Sequence, residues 1–93
     1  MMTKVINSQK LENLFPKQFW LYTTEGVDLL DDLEHDHEFE LTEIGYKGKD
    51  CDGFQKWVIE FIDNDGDKIK AYFYNEDAFK DAEKKLLENI ELI

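Results

Sequence analysis

Apolar and polar positions alternate along two neighbouring runs of this chain. Trp57, Ile59 and Phe61 recur at every second residue in the first, and Ile69, Ala71 and Phe73 in the second. A period of two belongs to a strand with one buried face. The residues between the runs, DNDGD, are turn formers, so the pattern predicts a hairpin within 54–74. A two-residue Asp65-Gly66 turn would set Phe61 against Lys70. A three-residue loop, with Gly66 in the left-handed bulge position, pairs Phe61 with Ile69, Ile59 with Ala71 and Trp57 with Phe73. It also sets Glu60 opposite Lys70, a favourable cross-strand pair. A slip of one residue would turn each apolar set to the wrong face.

The same stretch, FIDNDGDKIKAY, imitates a calcium loop. An EF-hand needs acids at loop positions 1, 3 and 5, glycine at 6 and glutamate at 12. With Gly66 at position 6, Phe61 falls at position 1 and Tyr72 at position 12, and both fail. The stretch reads as a hairpin loop.

Other elements follow from the same patterning. Leu11, Leu14 and Phe15 share a face at i, i+3, i+4, which predicts a helix from about Ser8 to Phe15. Asn7 or Ser8 caps it, and Pro16 biases Phe15 out of it. Residues 18–23 (QFWLYT) are aromatic and β-prone and predict a strand. Leu29, Leu30 and Leu33 fall on one side of a helical projection of about 100° per residue, with Glu25, Asp28, Asp31 and Asp32 on the other. A second helix is therefore expected from Thr24 to about Glu34. From about His37 to Tyr46, Phe39 and Leu41 alternate with Glu38 and Glu40, as in a strand. The apolar parity changes at Ile44 and Tyr46, which places a bulge or strand end near Glu43. GKDCDG, residues 48–53, reads as a loop.

The clearest helix is the last. Asn75 caps it, Glu76 and Asp77 suit its N-terminal end, and Phe79, Ala82, Leu86, Leu87 and Ile90 form its apolar stripe. Glu76–Lys80 and Asp81–Lys85 add i, i+4 pairs. The expected fold is one α+β domain over 1–93. It has a small antiparallel sheet of about four strands around the hairpin, packed by two or three helices. The last helix is expected on the Trp57/Ile59/Phe61/Phe73 face. Val58, Ile62, Tyr72 and Tyr74 are left on the other face, for a further helix or a second subunit to cover.

Composition supports a folded core: 93 residues, 42% hydrophobic and 14% aromatic, stand against intrinsic disorder. No run approaches the ~18 apolar residues of a membrane span. The opening MMTKVINSQKLENLF lacks the apolar block of a signal peptide. The single cysteine, Cys51, has no internal partner, so a reducing cytoplasmic setting is expected.

Charge changes the picture most. The formal net charge is −11, with 22 acids against 11 bases, all of them Lys. Residues 1–23 carry +2 (three Lys, one Glu), 24–52 carry −9 (eleven acids, two Lys) and 53–93 carry −4 (ten acids, six Lys). From Glu25 to Glu43 there are nine acids and no Lys or Arg. Such a chain repels nucleic acid and anionic membranes and attracts basic surfaces.

Candidate chemistry is thin. His35 and His37 share a side if the strand starts early, but no further ligand cluster accompanies them, and two solvated histidines in an acidic run is the simpler account. Asp50 and Asp52 flank Cys51 and work against a thiolate nucleophile. No carboxylate pair stands apart as an acid and base, and no phosphate-binding glycine loop or serine-centred motif is present. The expectation is a protein with no catalytic residue, no metal and no cofactor.

The acidic run itself remains. Solubility explains charged faces in general. Yet these acids are not interspersed with lysine, and like charges at i, i+4, such as Asp28 and Asp32, cost about 0.2–0.5 kcal/mol each on a helix. Glu38 and Glu40 stand about 6.7 Å apart along a strand. On the expected helix, Glu25, Asp28 and Asp32 form a row spaced about 5–6 Å. DNA presents a phosphate every ~3.4 Å along each strand, so such rows imitate a phosphate track. The residues expected to bind a partner are Glu25, Asp28, Asp31, Asp32, Glu34, Asp36, Glu38, Glu40 and Glu43.

In size, charge and the stretch TEGVDLLDDLEHDHEFELTE the chain resembles the small acidic DNA-mimic inhibitors made by phages, the anti-restriction nuclease proteins of T-even phages among them. The resemblance implies inhibition of a host restriction endonuclease, or a similar basic DNA-binding protein, by occupation of its DNA site, with a homodimer as the working form. It carries over no specific residue. The alternative is an acidic binding or immunity module for a basic protein that does not bind DNA.

Overall fold

The computed structural model describes residues 3–29, 38–63 and 66–92. These form β1 (Lys4–Asn7), α1 (Ser8–Leu14), β2 (Trp20–Thr23), β3 (Gly26–Leu29), β4 (Glu38–Lys49), β5 (Gln55–Ile62), β6 (Lys68–Phe73), α2 (Glu76–Asn89) and β7 (Glu91–Leu92). The strands make one seven-stranded sheet in the order β3-β2-β6-β5-β4-β1-β7, every neighbouring pair antiparallel.

The β5–β6 hairpin has the register its alternation dictates. Phe61 pairs with Ile69, Ile59 with Ala71, Trp57 with Phe73 and Glu60 with Lys70. Asp63 closes the loop twice over. Its backbone N–H donates to the Asp67 carbonyl at 3.0 Å, and its carboxylate accepts from the Asp67 N–H at 2.9 Å. Gly66 takes φ +87°, which a residue with a side chain rarely adopts.

All six inward side chains of this hairpin are buried, and both helices lie over them. Asn7 caps α1, its side chain accepting from the Gln9 N–H at 2.9 Å, and Leu11 is wholly buried. Phe19, just beyond α1, packs edge-on between Phe15 and Phe61, with ring centroids 5.7 and 5.8 Å away. Asn75 caps α2 through the Ala78 N–H at 3.0 Å. Phe79 stacks on Trp57 at 6.2 Å and meets Phe73 edge-on at 5.9 Å. The pairs Glu76–Lys80 (3.0 Å) and Asp81–Lys85 (3.3 Å) run along the exposed side. Leu87 departs from its expected place in the stripe. It is 46% exposed, while Phe79, Ala82 and Leu86 are buried and Ile90 is partly so.

The class is α+β, but the strand count was underestimated: the described residues hold seven strands and two helices, against about four strands expected. The largest correction falls on the helix expected over 24–34. Its described part is a turn followed by β3, which pairs Trp20 with Leu29, Leu21 with Asp28, Tyr22 with Val27 and Thr23 with Gly26. Thr23 organises the turn, its hydroxyl oxygen accepting from the Glu25 N–H at 3.2 Å. Gly26 at φ +145° and the β-branched Val27 both oppose a helix there. β1 and β7 are also additions. They hold four and two residues, too few to show a period.

β4 is longer than expected. It bulges between Leu41 and Glu43, where the parity change placed a bulge, and again between Tyr46 and Gly48, which carries the strand on to Lys49. The loop shrinks to residues 50–54, held by the Asp50 carboxylate, which accepts from the Asp52 and Phe54 N–H groups, each at 3.0 Å. No helix of the described residues is long and apolar enough to cross a membrane.

Phe61→Ala is expected to lower unfolding free energy by about 3–5 kcal/mol, because the helices cannot close over the void. Asn75→Ala is expected to cost about 1 kcal/mol. Urea denaturation followed by far-UV circular dichroism measures both.

Candidate acidic interface

Residues paired across antiparallel strands share a face, so the register gives the composition of the face that neither helix covers. One row reads Val27, Tyr22, Lys68, Ile62, Glu40, Val5, Glu91 from β3 to β7. The next reads Leu29, Trp20, Lys70, Glu60, Glu43. Val58 and Tyr72 form a further pair. Val58 is buried, Ile62 and Tyr72 are half-buried, and Tyr74 is exposed.

Glu60 and Glu43 lie directly opposite each other, an unfavourable pairing of like charges. The structure relieves it locally. Lys68 and Lys70 each place Nζ 3.9 Å from a Glu60 oxygen, and Lys47 Nζ donates to Glu43 Oε1 at 2.8 Å. Thr42, the extra residue of the first bulge, puts its hydroxyl 3.1 Å from the Glu60 carbonyl oxygen and 3.3 Å from Oε1. The Glu43 carboxylate, through its hydrogen bond and its charge, holds the Lys47 ammonium above its ordinary value, and Glu60 adds a smaller push.

Glu38 and Glu40 differ from that pair. Both are exposed on β4, and neither has an ion-pair partner among the described residues. They stand two residues apart, about 6.7 Å. Glu91 joins them from β7, since Val5 pairs with both Glu40 and Glu91. Glu38 and Glu91 also line a cleft of about 670 Å³ together with Asn7, Lys10 and Asn89. Glu91 was not among the expected residues. A two-residue strand shows no period, so its place beside Glu40 depends on β1 and left no local signal.

Glu25 and Asp28 do not join this group. Glu25 is exposed in the turn before β3, and Asp28 is exposed on β3, on the helix-bearing face. Three strands separate β3 from β4, a distance of about 19 Å at the usual strand spacing. The row imagined along a helix through Glu25 and Asp28 is therefore replaced by a hairpin edge. Asp31, Asp32, Glu34, Asp36, His35 and His37 lie outside the described residues. Cys51 is exposed in the 50–54 loop, and no group of three metal-binding side chains occurs among the described residues.

No family model matches this chain, and no curated protein or solved structure is similar to it at a significant level.

Raising the folded-state value of a lysine adds stability that is complete below its unfolded value and fades as pH rises through the folded one. Glu43→Gln is expected to return Lys47 to the ordinary lysine range and to flatten the alkaline end of the stability profile. Side-chain NMR titration of Lys47, alongside thermal melts on rising pH, tests it.

Proposed function

We propose that this protein is a non-catalytic inhibitor that occupies the cationic site of a DNA-binding protein, most simply a restriction endonuclease. The observation that carries the reading is the group of carboxylates Glu38, Glu40 and Glu91 at the β4–β1–β7 end of the sheet, none of which has an ion-pair partner among the described residues. Along β4 it offers about one negative charge for every second phosphate of a DNA strand. The net charge of −11 adds long-range attraction to a basic groove and repulsion from DNA itself. Binding of this kind needs no reacting group on the inhibitor. Its strength comes from steering and from the release of ions held by the partner's groove.

Protein immobilised on beads and exposed to lysate of a restriction-competent cell is expected to capture a basic DNA-binding protein. Salt between about 50 and 200 mM releases it, and duplex DNA displaces it. Glu38→Lys/Glu40→Lys/Glu91→Lys is expected to lose the capture while keeping the wild-type melting profile. Full capture by that variant contradicts the reading. Capture of a basic protein that DNA fails to displace favours the acidic module for a partner that does not bind DNA.

A further inference from the structure

The opposite end of the uncovered face has a different character. Val27 and Leu29 of β3 stand beside Tyr22 and Trp20 of β2, forming an apolar and aromatic quartet. Val27 is 52% exposed and Trp20 43%. Among the described residues β3 pairs with β2 alone, so its outer backbone edge is a template for another strand. Proteins commonly guard such an edge with lysine, proline or a bulge, and β3 (GVDL) has none of these.

We propose that β3 is a docking edge for an extended segment of a partner protein in which basic and apolar residues alternate. Charge complementarity selects this occupant. A strand added to β3 sends alternate side chains to the two faces. On the uncovered face they meet Val27 and Leu29. Lys68 and Lys70 lie on the same face beyond Tyr22 and Trp20, with Lys70 Nζ 5.1 Å from the centre of the Tyr22 ring. That side accepts apolar groups. On the other face the incoming side chains meet Asp28, exposed and without an ion-pair partner among the described residues, with Glu25 in the adjoining turn. That side accepts cations. A second copy of this chain fits worse, because joining two β3 edges brings together Asp28 residues on bodies of charge −11. The edge is remote from Glu38, Glu40 and Glu91, so the proposal stands apart from the inhibitor reading.

The test is a titration of the full chain with a short capped peptide alternating lysine and valine. A second peptide replaces each valine by serine. Binding is followed by backbone amide shifts and by tryptophan emission, where exposed Trp20 responds more than buried Trp57. The lysine–valine peptide is expected to bind at least about tenfold more tightly, with the largest shifts in residues 26–29. Val27→Lys and Asp28→Lys are each expected to weaken it about tenfold, and Glu38→Lys/Glu40→Lys to leave it within about twofold. Thermal melts confirm folding, and Val27→Thr replaces Val27→Lys if the latter does not fold. Equal affinity for the two peptides overturns the proposal, as does indifference to both β3 substitutions. So does a concentration-dependent dimer that Val27→Lys dissociates, since the edge would then serve a second copy.

Discussion

Six side chains of one hairpin have to enter the interior together, and only one alignment of β5 with β6 lets them. With Phe61 opposite Ile69, all six point the same way. Moved by a residue, half would point to water. The neighbouring strands inherit this choice. Leu41 and Ile44 of β4 pair with Phe61 and Ile59, and Leu21 of β2 pairs with Ile69, so the buried face widens in both directions. α1 and α2 then have one place to put Leu11, Phe79 and Leu86. The first bulge of β4 belongs to the same logic, since it restores Ile44 to the inner face after Thr42 is inserted.

Covering one face leaves the other to be made tolerable to water. Most of its centre is neutralised in place. Glu60 is held by Lys68, Lys70 and Thr42, and Glu43 by Lys47. Lys56 lies over the Tyr72 ring at 4.9 Å, which shields a half-buried aromatic with an aliphatic stem and a cation. The Lys47–Glu43 pair is exposed and the two Glu60 pairs are long at 3.9 Å, so each contributes little stability. Their effect is to fix which charges are already paired.

Legibility in the sequence followed the range of the interactions. The β5–β6 register was readable because its apolar alternation, its glycine and its charge pair lie within 17 residues, from Trp57 to Phe73. The caps Asn7 and Asn75 were readable because a cap is decided within three residues. β3 was misread for a physical reason. Leu29, Leu30 and Leu33 satisfy a helical period, whereas the free edge of β2, which draws this segment into the sheet, is invisible in the local pattern. Gly26 was the available warning, at about 1 kcal/mol against a helix interior. β1 and β7 depend wholly on partners distant in the chain. The same division runs through the site: Glu38 and Glu40 alternate along one strand and were legible, while Glu91 reaches them only through β1.

The distribution of lysine on the uncovered face ties these features together. Lys47, Lys56, Lys68 and Lys70 all sit on its middle strands, β4 to β6, and each is engaged by a carboxylate or an aromatic ring there. Toward β7 no ion pair reaches Glu38, Glu40 or Glu91 among the described residues. Toward β3 the surface is apolar. A face built only for solubility would intersperse its signs to the ends. Here the cations are held in the centre, and that leaves one end acidic and the other apolar, beside a strand edge that has no further partner among the described residues. The two ends of one sheet thus differ in chemistry, and the two proposed contacts fall one at each end.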